Sequence, residues 1–384
     1  MKEIGIGFAG AGWMGTVLLQ RLLGQSGVRI RALHQRSAER AHATLLDLGL
    51  DPGIYQPRYE ELLATPGVDA VVLCTPNSSH GPQSIAALEA GKHVFCEKPC
   101  ATRYRDFLRQ IELAESQPHL ITFVDYLMNF DSLENRILDM VRDGLFGTIS
   151  QIQVNYRHPI NIAGEKRWKL DRHIIGDAIG MGIIHSLSVM LNIMAAHQAR
   201  PVRVFAASST IQSRGFEVPP LYSIQILFDS GATGFCFGNI DHANGYDAYH
   251  HIHGVGGGLV FDSYLDRPSK VRYWSKAHAE GRWIYPLDLD RCAREQTEAF
   301  AWPADTTTPD SGDVLEHQTG ACIDHFLGCI RQNRQSHLSF PAAASTAETG
   351  WAALWSAATG APVDLPLDRD KALAFFDQLD AVPG

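Results

Sequence analysis

Three side chains stand where their types and spacing suit them to move a proton or hold a hydroxyl. Residues 176–185 read GDAIGMGIIH, a run of small and apolar residues with Asp177 near its start and His185 at its end. An imidazole in such a stretch either works near neutral pH or is a core histidine satisfied by backbone groups. Asp177 is the carboxylate nearest to it in sequence. In one continuous helix the two would lie about 12 Å apart and about 80° round the axis. Asp177 therefore reaches the imidazole only if the helix begins after Gly180 and residues 176–180 fold back as a turn. The expectation is that it projects into a substrate cleft; the alternative is a helix N-cap. Lys98 sits between Glu97 and Pro99 at the end of an apolar run, KHVFC. A buried ammonium with a lowered pKa can hold a hydroxyl or accept its proton, whereas a surface lysine would simply pair with Glu97.

Such chemistry needs a partner to carry electrons. Residues 7–15 read GFAGAGWMG, in which Gly10, Gly12 and Gly15 make GxGxxG with Trp13 and Met14 between the last two. The motif follows a strand pattern (EIGIGF) and opens a helical one, inside a βαβ unit of the right length. The glycines give a tight turn, close approach of backbone to a pyrophosphate, and close helix–strand packing. The second strand ends in His34-Gln35-Arg36-Ser37, with Arg40 beyond. NAD-preferring folds place an acid here, about 20 residues past the third glycine. Gln35 carries no charge, and Arg36, Ser37 and Arg40 would meet a 2′-phosphate with guanidinium and hydroxyl groups. The expected cofactor is NADP(H), with NAD(H) as the alternative.

The elements that must hold these residues fall into two halves. Up to residue 125 short apolar strands alternate with helical patterns, which implies an α/β doubly wound parallel sheet, a Rossmann domain. From 126 to 384 the texture is α+β. A helix at 131–143 precedes long alternating runs at 149–156, 202–212, 221–228 and 232–240, then LVFD and KVRYW. Turn residues such as Asp229-Ser230-Gly231 separate neighbouring runs, so an open, mostly antiparallel sheet is expected. Helices at 176–197 and 313–332 would cover one face. Residues 278–312 read as a long loop. Residues 342–360 are helical, and the last helix is free to pack back on the first domain.

Bulk properties narrow the class. The chain has 384 residues and a net charge of −9, with no run of Lys or Arg, which argues against nucleic acid or an anionic membrane surface. No apolar stretch is expected to reach the roughly 18 residues that span a bilayer, and the start shows no leader pattern. Seven scattered cysteines without a CxxC pair disfavour disulfides and structural zinc. A reducing, cytoplasmic setting is expected.

With the glycine motif, Thr75-Pro76-Asn77 followed by His80, and Glu97-Lys98-Pro99, the chain resembles the glucose–fructose oxidoreductase / inositol dehydrogenase / rhizopine-catabolism (Gfo/Idh/MocA) family. The resemblance covers almost the whole length. GLFGTISQIQVNY at 144–156 is similar to that family's entry into its second domain, HIHGVGGGLVFD at 251–262 to its Gly-rich strand pair, and SAATGAPVDLPL at 356–367 to its C-terminal end. It implies hydride transfer to or from sugars, polyols or their derivatives. Thr75, Pro76, Asn77, His80 and Glu97 would then line the dinucleotide site, and Lys98 would lie near the nicotinamide and the reacting hydroxyl. The family's second signature, Asp-x-Gly-x-His, survives only at His185: Met181 stands at the acid's place and Ile183 at the glycine's. Asn129 stands where an arginine is common. Both departures point to an unusual substrate.

Tyr156, Arg157 and His158 end the first strand of the second domain, and Trp168, Lys169, Asp171, Arg172 and His173 precede the opening stretch. An aromatic plane among hydrogen-bonding groups suits a polyhydroxylated ring. Tyr156, Arg157, Trp168, Arg172 and Asn129 are the candidate substrate contacts. His242, His250, His251 and His253 lack metal-ligand spacing, and no metal is expected. An open sheet with Phe235, Phe237, Ile252 and Leu259 wants a cover, so a homo-dimer or homo-tetramer through it is expected. The leading expectation is a nicotinamide-dependent oxidoreductase acting on a sugar or cyclic polyol, with Lys98 and His185 handling the hydroxyl proton. The alternatives are a sensor that keeps the fold without turnover, and an enzyme that cycles its cofactor internally with no net oxidation.

Overall fold

The computed structural model describes residues 3–212, 214–241, 249–264, 267–275, 278–284 and 318–381. The first half forms a six-stranded parallel sheet in the order β3-β2-β1-β4-β5-β6. Its strands are β1 (Ile4–Ala9), β2 (Val28–His34), β3 (Tyr55–Gln56), β4 (Ala70–Leu73), β5 (His93–Cys96) and β6 (Thr122–Val124). β1 and β4 are buried at every position, as a parallel sheet covered on both faces requires. The crossovers are α1 (Trp13–Leu23), α2 (Ala38–Asp47), α3 (Tyr59–Ala64), α4 (Asn77–Glu89) and α5 (Tyr104–Ser116). Strand order reverses between β1 and β4, so the loops after them, with Gly10 and Thr75, open the crevice where ligands of such sheets bind.

Helix α6 (Ser132–Arg142) leads into the second sheet. Its nine strands are β7 (Ile149–Arg157), β8 (Pro201–Ser209), β9 (Leu221–Phe228), β10 (Thr233–Asn239), β11 (His250–Gly254), β12 (Gly257–Tyr264), β13 (Arg267–Ser275), β14 (His278–Ile284) and β15 (Val363–Asp364). Neighbours run antiparallel except β7 and β10. The Gly-rich stretch at 251–262 is the β11–β12 pair. Helices α7 (Arg172–Ile175), α8 (Ile184–Ala196), α9 (Thr319–Gln332), α10 (Phe340–Thr359) and α11 (Arg369–Asp380) complete the set used below. α8 and α10 cover one face, where Ile152, Val154, Val204, Ala206, Ile224 and Ile226 alternate into the core. Gly238 lets the helical layer come close, since a Cβ there would meet Ile183 Cγ1 at 2.3 Å. On the other face the rings of Phe235 and Phe237 stack, and Phe205 and Leu227 are exposed.

Three expectations need correction. Residues 278–284 are a strand paired with β13, not loop; residues 285–312 lie outside the described residues. The helix expected at 313–332 is described over Thr319–Gln332 and does not cover the second sheet. It packs on α1, and its Phe326 ring meets Phe95 and Phe123 of the first sheet at 5.6 and 6.3 Å, because its apolar side matches the open end of β5 and β6. An apolar stretch of membrane-spanning length does exist: Ile179–Ala196 has 18 residues. It is 83% buried inside the protein, between the second sheet and the chain after β6, so its apolarity serves the core.

The chain's end returns to the first domain. The backbone N–H of Val124 donates to Leu338 O at 2.9 Å, and that of Phe340 to Thr122 Oγ1 at 3.0 Å. α11 packs on α5, with Tyr104 and Phe376 ring centroids 5.2 Å apart and an Arg105–Asp377 ion pair at 2.5 Å.

Candidate active site

The glycine loop is built as a phosphate cradle. Gly10 has φ +94°, and a Cβ there would lie 2.4 Å from Cys74 O. A Cβ on Gly15 would lie 1.9 Å from Gly10 O, so only hydrogen fits where α1 presses on the loop. Gly12, at the N-terminus of α1, meets nothing within 4 Å. That open space beside a helix N-terminus suits a pyrophosphate. Trp13 is exposed at its rim, and Met14 packs inward. At the end of β2, Gln35 is half-buried, Arg36 and Arg40 are exposed, and Ser37 Oγ accepts from Arg40 N at 3.3 Å, capping α2. No carboxylate stands at position 35, so these residues fit a dinucleotide with or without a 2′-phosphate.

His80 ties the second loop to the third. Its ring nitrogens lie 2.7 Å from Thr75 O and 2.8 Å from Pro99 O, and the residue is buried. Burial pushes its pKa down, against the pull of the two carbonyls and helped by the Lys98 charge. Thr75 Oγ1 donates to Gln83 Oε1, and Asn77 Nδ2 donates to Ile175 O at 3.1 Å, joining the crevice to α7 of the second domain. Behind Lys98 lie two acids. Glu97 accepts from the Lys98 N–H at 3.2 Å, and Asp125, wholly buried at the end of β6, is held far above the usual carboxylate range by burial and then by the Glu97 charge.

The stretch 176–185 is two helical pieces joined by a tight change of winding. Ile179–Ile183 is a π turn, and α8 starts at Ile184. A π turn takes up one residue more than an α turn and often marks a functional site. Within the turn Gly182 packs tightly, because a Cβ there would lie 2.8 Å from Tyr156 Cε1. The turn also answers what stands in for the absent acid at 181. Lys98 Nζ donates to the main-chain carbonyl of Met181 at 2.6 Å. One turn on, His185 is buried, with its ring 6.2 Å from that of Tyr156, whose hydroxyl lies 3.1 Å from His158 Nδ1. Lys98, Asn77, Met181, Gly182, Tyr156 and His185 therefore form one cluster where the loops of the first sheet meet the second domain.

Asp177 does not join them. Its carboxylate accepts from Gly180 N at 2.7 Å and caps the π turn, beside a small cavity of about 30 Å³ walled by Pro99, Tyr126 and Trp351. In place of the expected projection into the cleft, the carboxylate takes this capping role, satisfying an N–H of the turn. Burial raises its pKa to about 6. An acid whose folded pKa exceeds its unfolded value costs stability as pH rises from about 4 to about 6, and the cost persists above. Asp177→Asn keeps the acceptor and removes the charge. It should raise stability at pH 7 by about 2 kcal/mol and flatten the pH dependence between pH 4 and 6, with kcat unchanged within about twofold. Urea unfolding across that range checks it; a large loss of kcat would return Asp177 to the chemistry.

Two other candidates move as well. Asn129 is buried, and its Nδ2 donates to Tyr126 O at 3.0 Å and Ser188 Oγ at 2.9 Å, while Ser188 Oγ donates to His185 O at 2.8 Å. It ties the turn after β6 to α8. Arg172 reaches away to Leu379 O on the last helix, at 3.4 Å, because α7 turns that side chain outward. Trp168, half-buried, stays at the cleft wall on the 3-10 turn Gly164–Leu170; Arg157 lies half-buried at the end of β7. Lys166, on the same turn, was not legible as a site residue: its Nζ lies 4.5 Å over the Trp13 ring. His250 is buried with Glu134 at 2.5 Å in a structural pair; His242 lies outside the described residues. Among the described residues no group of three His, Cys, Asp or Glu is placed to hold a metal ion.

A parallel sheet with a glycine cradle at its switch point, joined to an open sheet that closes the cleft, defines a nicotinamide-dinucleotide-binding oxidoreductase fold. Residues 4–126 match the oxidoreductase family with NAD-binding Rossmann fold, and residues 135–260 match the Gfo/Idh/MocA C-terminal domain; the chain belongs to the Gfo/Idh/MocA family. It is 33% identical over 162 residues to inositol 2-dehydrogenase of Corynebacterium glutamicum, covering 41% of this chain and 47% of that one. It is 29% identical over 177 residues to an alpha-N-acetylgalactosaminidase of Shewanella oneidensis, covering 44% of this chain and 37% of the relative. The matches thus span half or less of these curated relatives. Similar solved structures include aldose-aldose oxidoreductase from Caulobacter crescentus (23% identity, TM-score 0.75, 95% of this chain and 100% of that one). Another is levoglucosan dehydrogenase in complex with NADH and levoglucosan (19% identity, TM-score 0.77, 95% and 100%). At these identities the structures speak for the fold.

Proposed function

We propose that this chain transfers a hydride between a nicotinamide cofactor and a carbinol carbon of a sugar, cyclic polyol or sugar derivative. The observation that carries the reading is Lys98, brought to the mouth of the cleft and held by the Met181 carbonyl beside the turn that leads into His185. When bound, the nicotinamide supplies hydride acceptance or donation at its C4. The protein's part is the hydroxyl proton. One hydrogen of the Lys98 ammonium is committed to Met181. The amine, when neutral, takes the hydroxyl proton at Nζ, and His185 holds the same oxygen. Trp168, half-buried, offers a flat apolar surface to the C–H side of the ring, with Tyr156 packed behind His185. The names of the inositol and levoglucosan relatives agree with this class of substrate.

The preferred cofactor in this reading is NADP(H). Arg36 and Arg40 are exposed at the start of α2, and Gln35 offers no repelling charge. The test is absorbance at 340 nm with NADP⁺ and NAD⁺ across sugars, inositols and their acid and amino derivatives. Signal growth with at least one substrate is expected. Arg36→Ala should weaken NADP⁺ binding about tenfold and leave NAD⁺ unchanged, the worth of one charge-assisted contact. A tenfold preference of the wild type for NAD⁺ would remove the NADP reading.

A second reading is favoured by one comparison, the glycosidase relative from Shewanella. It keeps the same groups but cycles oxidation and reduction on one tightly held cofactor, without net redox. Cofactor that co-purifies, with a flat trace at 340 nm and turnover of a glycoside, would select it.

A further inference from the structure

The carbonyl that receives Lys98 is framed by its neighbours, and one of them is a carboxylate that the proposed chemistry leaves unused. The π turn closes with the Ile184 N–H on the Ile179 carbonyl, five residues back. Such turns are rare, and their shape depends on what packs around them. On one side a Cβ on Gly182 would meet Tyr156 Cε1 at 2.8 Å and Ile240 Cγ2 at 3.3 Å. On another a Cβ on Gly180 would lie 3.0 Å from Pro99 Cβ, so the turn rests on the residue that follows Lys98. The Pro99 carbonyl lies in turn 2.8 Å from His80 Nδ1. At its start the turn is held twice by Asp177. The carboxylate accepts from the Gly180 N–H at 2.7 Å, and the main-chain carbonyl accepts from the Met181 N–H at 3.1 Å. The next polar group along the chain is the Met181 carbonyl, which accepts from Lys98 Nζ at 2.6 Å.

We propose that Asp177 is a positioning residue for Lys98: by capping the π turn it aims the Met181 carbonyl, and through it the lone pair of the lysine. This rests on the reading that Lys98 takes the hydroxyl proton, and it names the group that sets the angle of that transfer. A neutral lysine amine carries two N–H groups and one lone pair. With one N–H committed to Met181, rotation about the Cε–Nζ bond is stopped, and the lone pair keeps two positions in place of a full circle. Reaction rates depend steeply on such alignment, and a displacement of about 1 Å costs up to about a hundredfold. What counts at position 177 is an acceptor oxygen of the right reach, not a negative charge. Alanine takes that acceptor from the Gly180 N–H. The turn then shifts, and the Met181 carbonyl moves off Nζ.

The test has two arms. In the cofactor-free protein, labelling of Lys98 by trinitrobenzenesulfonate is followed by mass spectrometry of its peptide. Asp177→Ala should label Lys98 about fivefold faster than the wild type, the worth of one released hydrogen bond. Asp177→Asn keeps the acceptor and should label at the wild-type rate. The second arm is turnover of the sugar or inositol that gives the strongest signal at 340 nm. Asp177→Ala should lower kcat about thirtyfold, with KM and NADP⁺ affinity within about twofold, and Asp177→Asn should restore it. Combined with Lys98→Met, Asp177→Ala should cost nothing further, because it acts through the lysine. Labelling of Lys98 at the wild-type rate in Asp177→Ala overturns the proposal. So does Asp177→Asn behaving as Asp177→Ala does, or a full further loss in the double variant, since the cap then serves the fold and not the base. A loss of less than tenfold in Lys98→Met alone, with the labelling pattern as expected, would sink the proton role of the lysine and leave the brace on its Nζ supported.

Discussion

Lys98→Met is expected to lower kcat about a thousandfold while dinucleotide affinity stays within about twofold, since a positioned acid–base group is commonly worth 10²–10⁴ in rate. The side chain leaves the strand end after β5, and its Nζ donates to the Met181 carbonyl at 2.6 Å. Methionine keeps the stem and its packing but has no proton to move. Lys98→Arg should not restore the rate, because a guanidinium stays charged at any working pH and its planar fork does not fit a site shaped for a point charge. Single-turnover absorbance measures the rate, and quenching of Trp13 fluorescence on titration reports binding. A loss of less than tenfold in Lys98→Met would take the proton away from this residue. His185→Asn gives the comparison: if the two act on one oxygen, the double variant should be little slower than Lys98→Met alone.

Gly15→Val is the second change expected to act strongly, and it acts through backbone rather than chemistry. A Cβ at that position falls 1.9 Å from Gly10 O and 3.0 Å from Gly10 C. No rotamer relieves a clash with main chain, so either α1 must lift from the sheet or the Gly10 turn must open. The first costs about 1–3 kcal/mol of stability, as overpacking does. Either movement spoils the cradle, so binding of NADP⁺ and of NAD⁺ should both fall beyond detection by calorimetry. Gly12→Ala is the contrast, since a Cβ there meets no protein atom and only a bound pyrophosphate would feel it. It should leave thermal stability unchanged and weaken the dinucleotide. Equal thermal loss in the two variants would show that the loop is a folding element with no bias toward phosphate.

What was legible in the sequence follows from how local each signal is. GxGxxG, the apolar strands and the Lys98 segment depend on contacts within one βαβ unit, and periodicity reports those. The register of 176–185 depends on the winding of a single turn. Nothing in the spelling of IGMGI says that it closes as π rather than α, so Gly182 and the Met181 carbonyl could not be assigned their places. Asp177 was misjudged for the same reason, because a carboxylate beside unpaired N–H groups takes the nearer partner. Asn129 and Arg172 fail differently. Their partners, Ser188 and Leu379, come from elements distant in sequence, which residue type alone does not name. Asp125 carried no signal at all: an acid at a strand end looks solvated until Glu97 and Cys322 are seen around it.

The return of the chain to the first sheet bears on the order of synthesis. Strand β6 receives hydrogen bonds from, and donates to, the segment at 338–340, and Phe326 closes the ring cluster of Phe95 and Phe123. A nascent chain leaves the ribosome N-terminus first, and domains generally fold as units in that order. Here the dinucleotide domain is translated early but finished late. Its last aromatic layer and the outer cover of its final strand emerge only after strands β7 to β14 of the second sheet. A chain truncated before residue 319 would therefore leave the Phe95 and Phe123 rings without the Phe326 ring that packs on them.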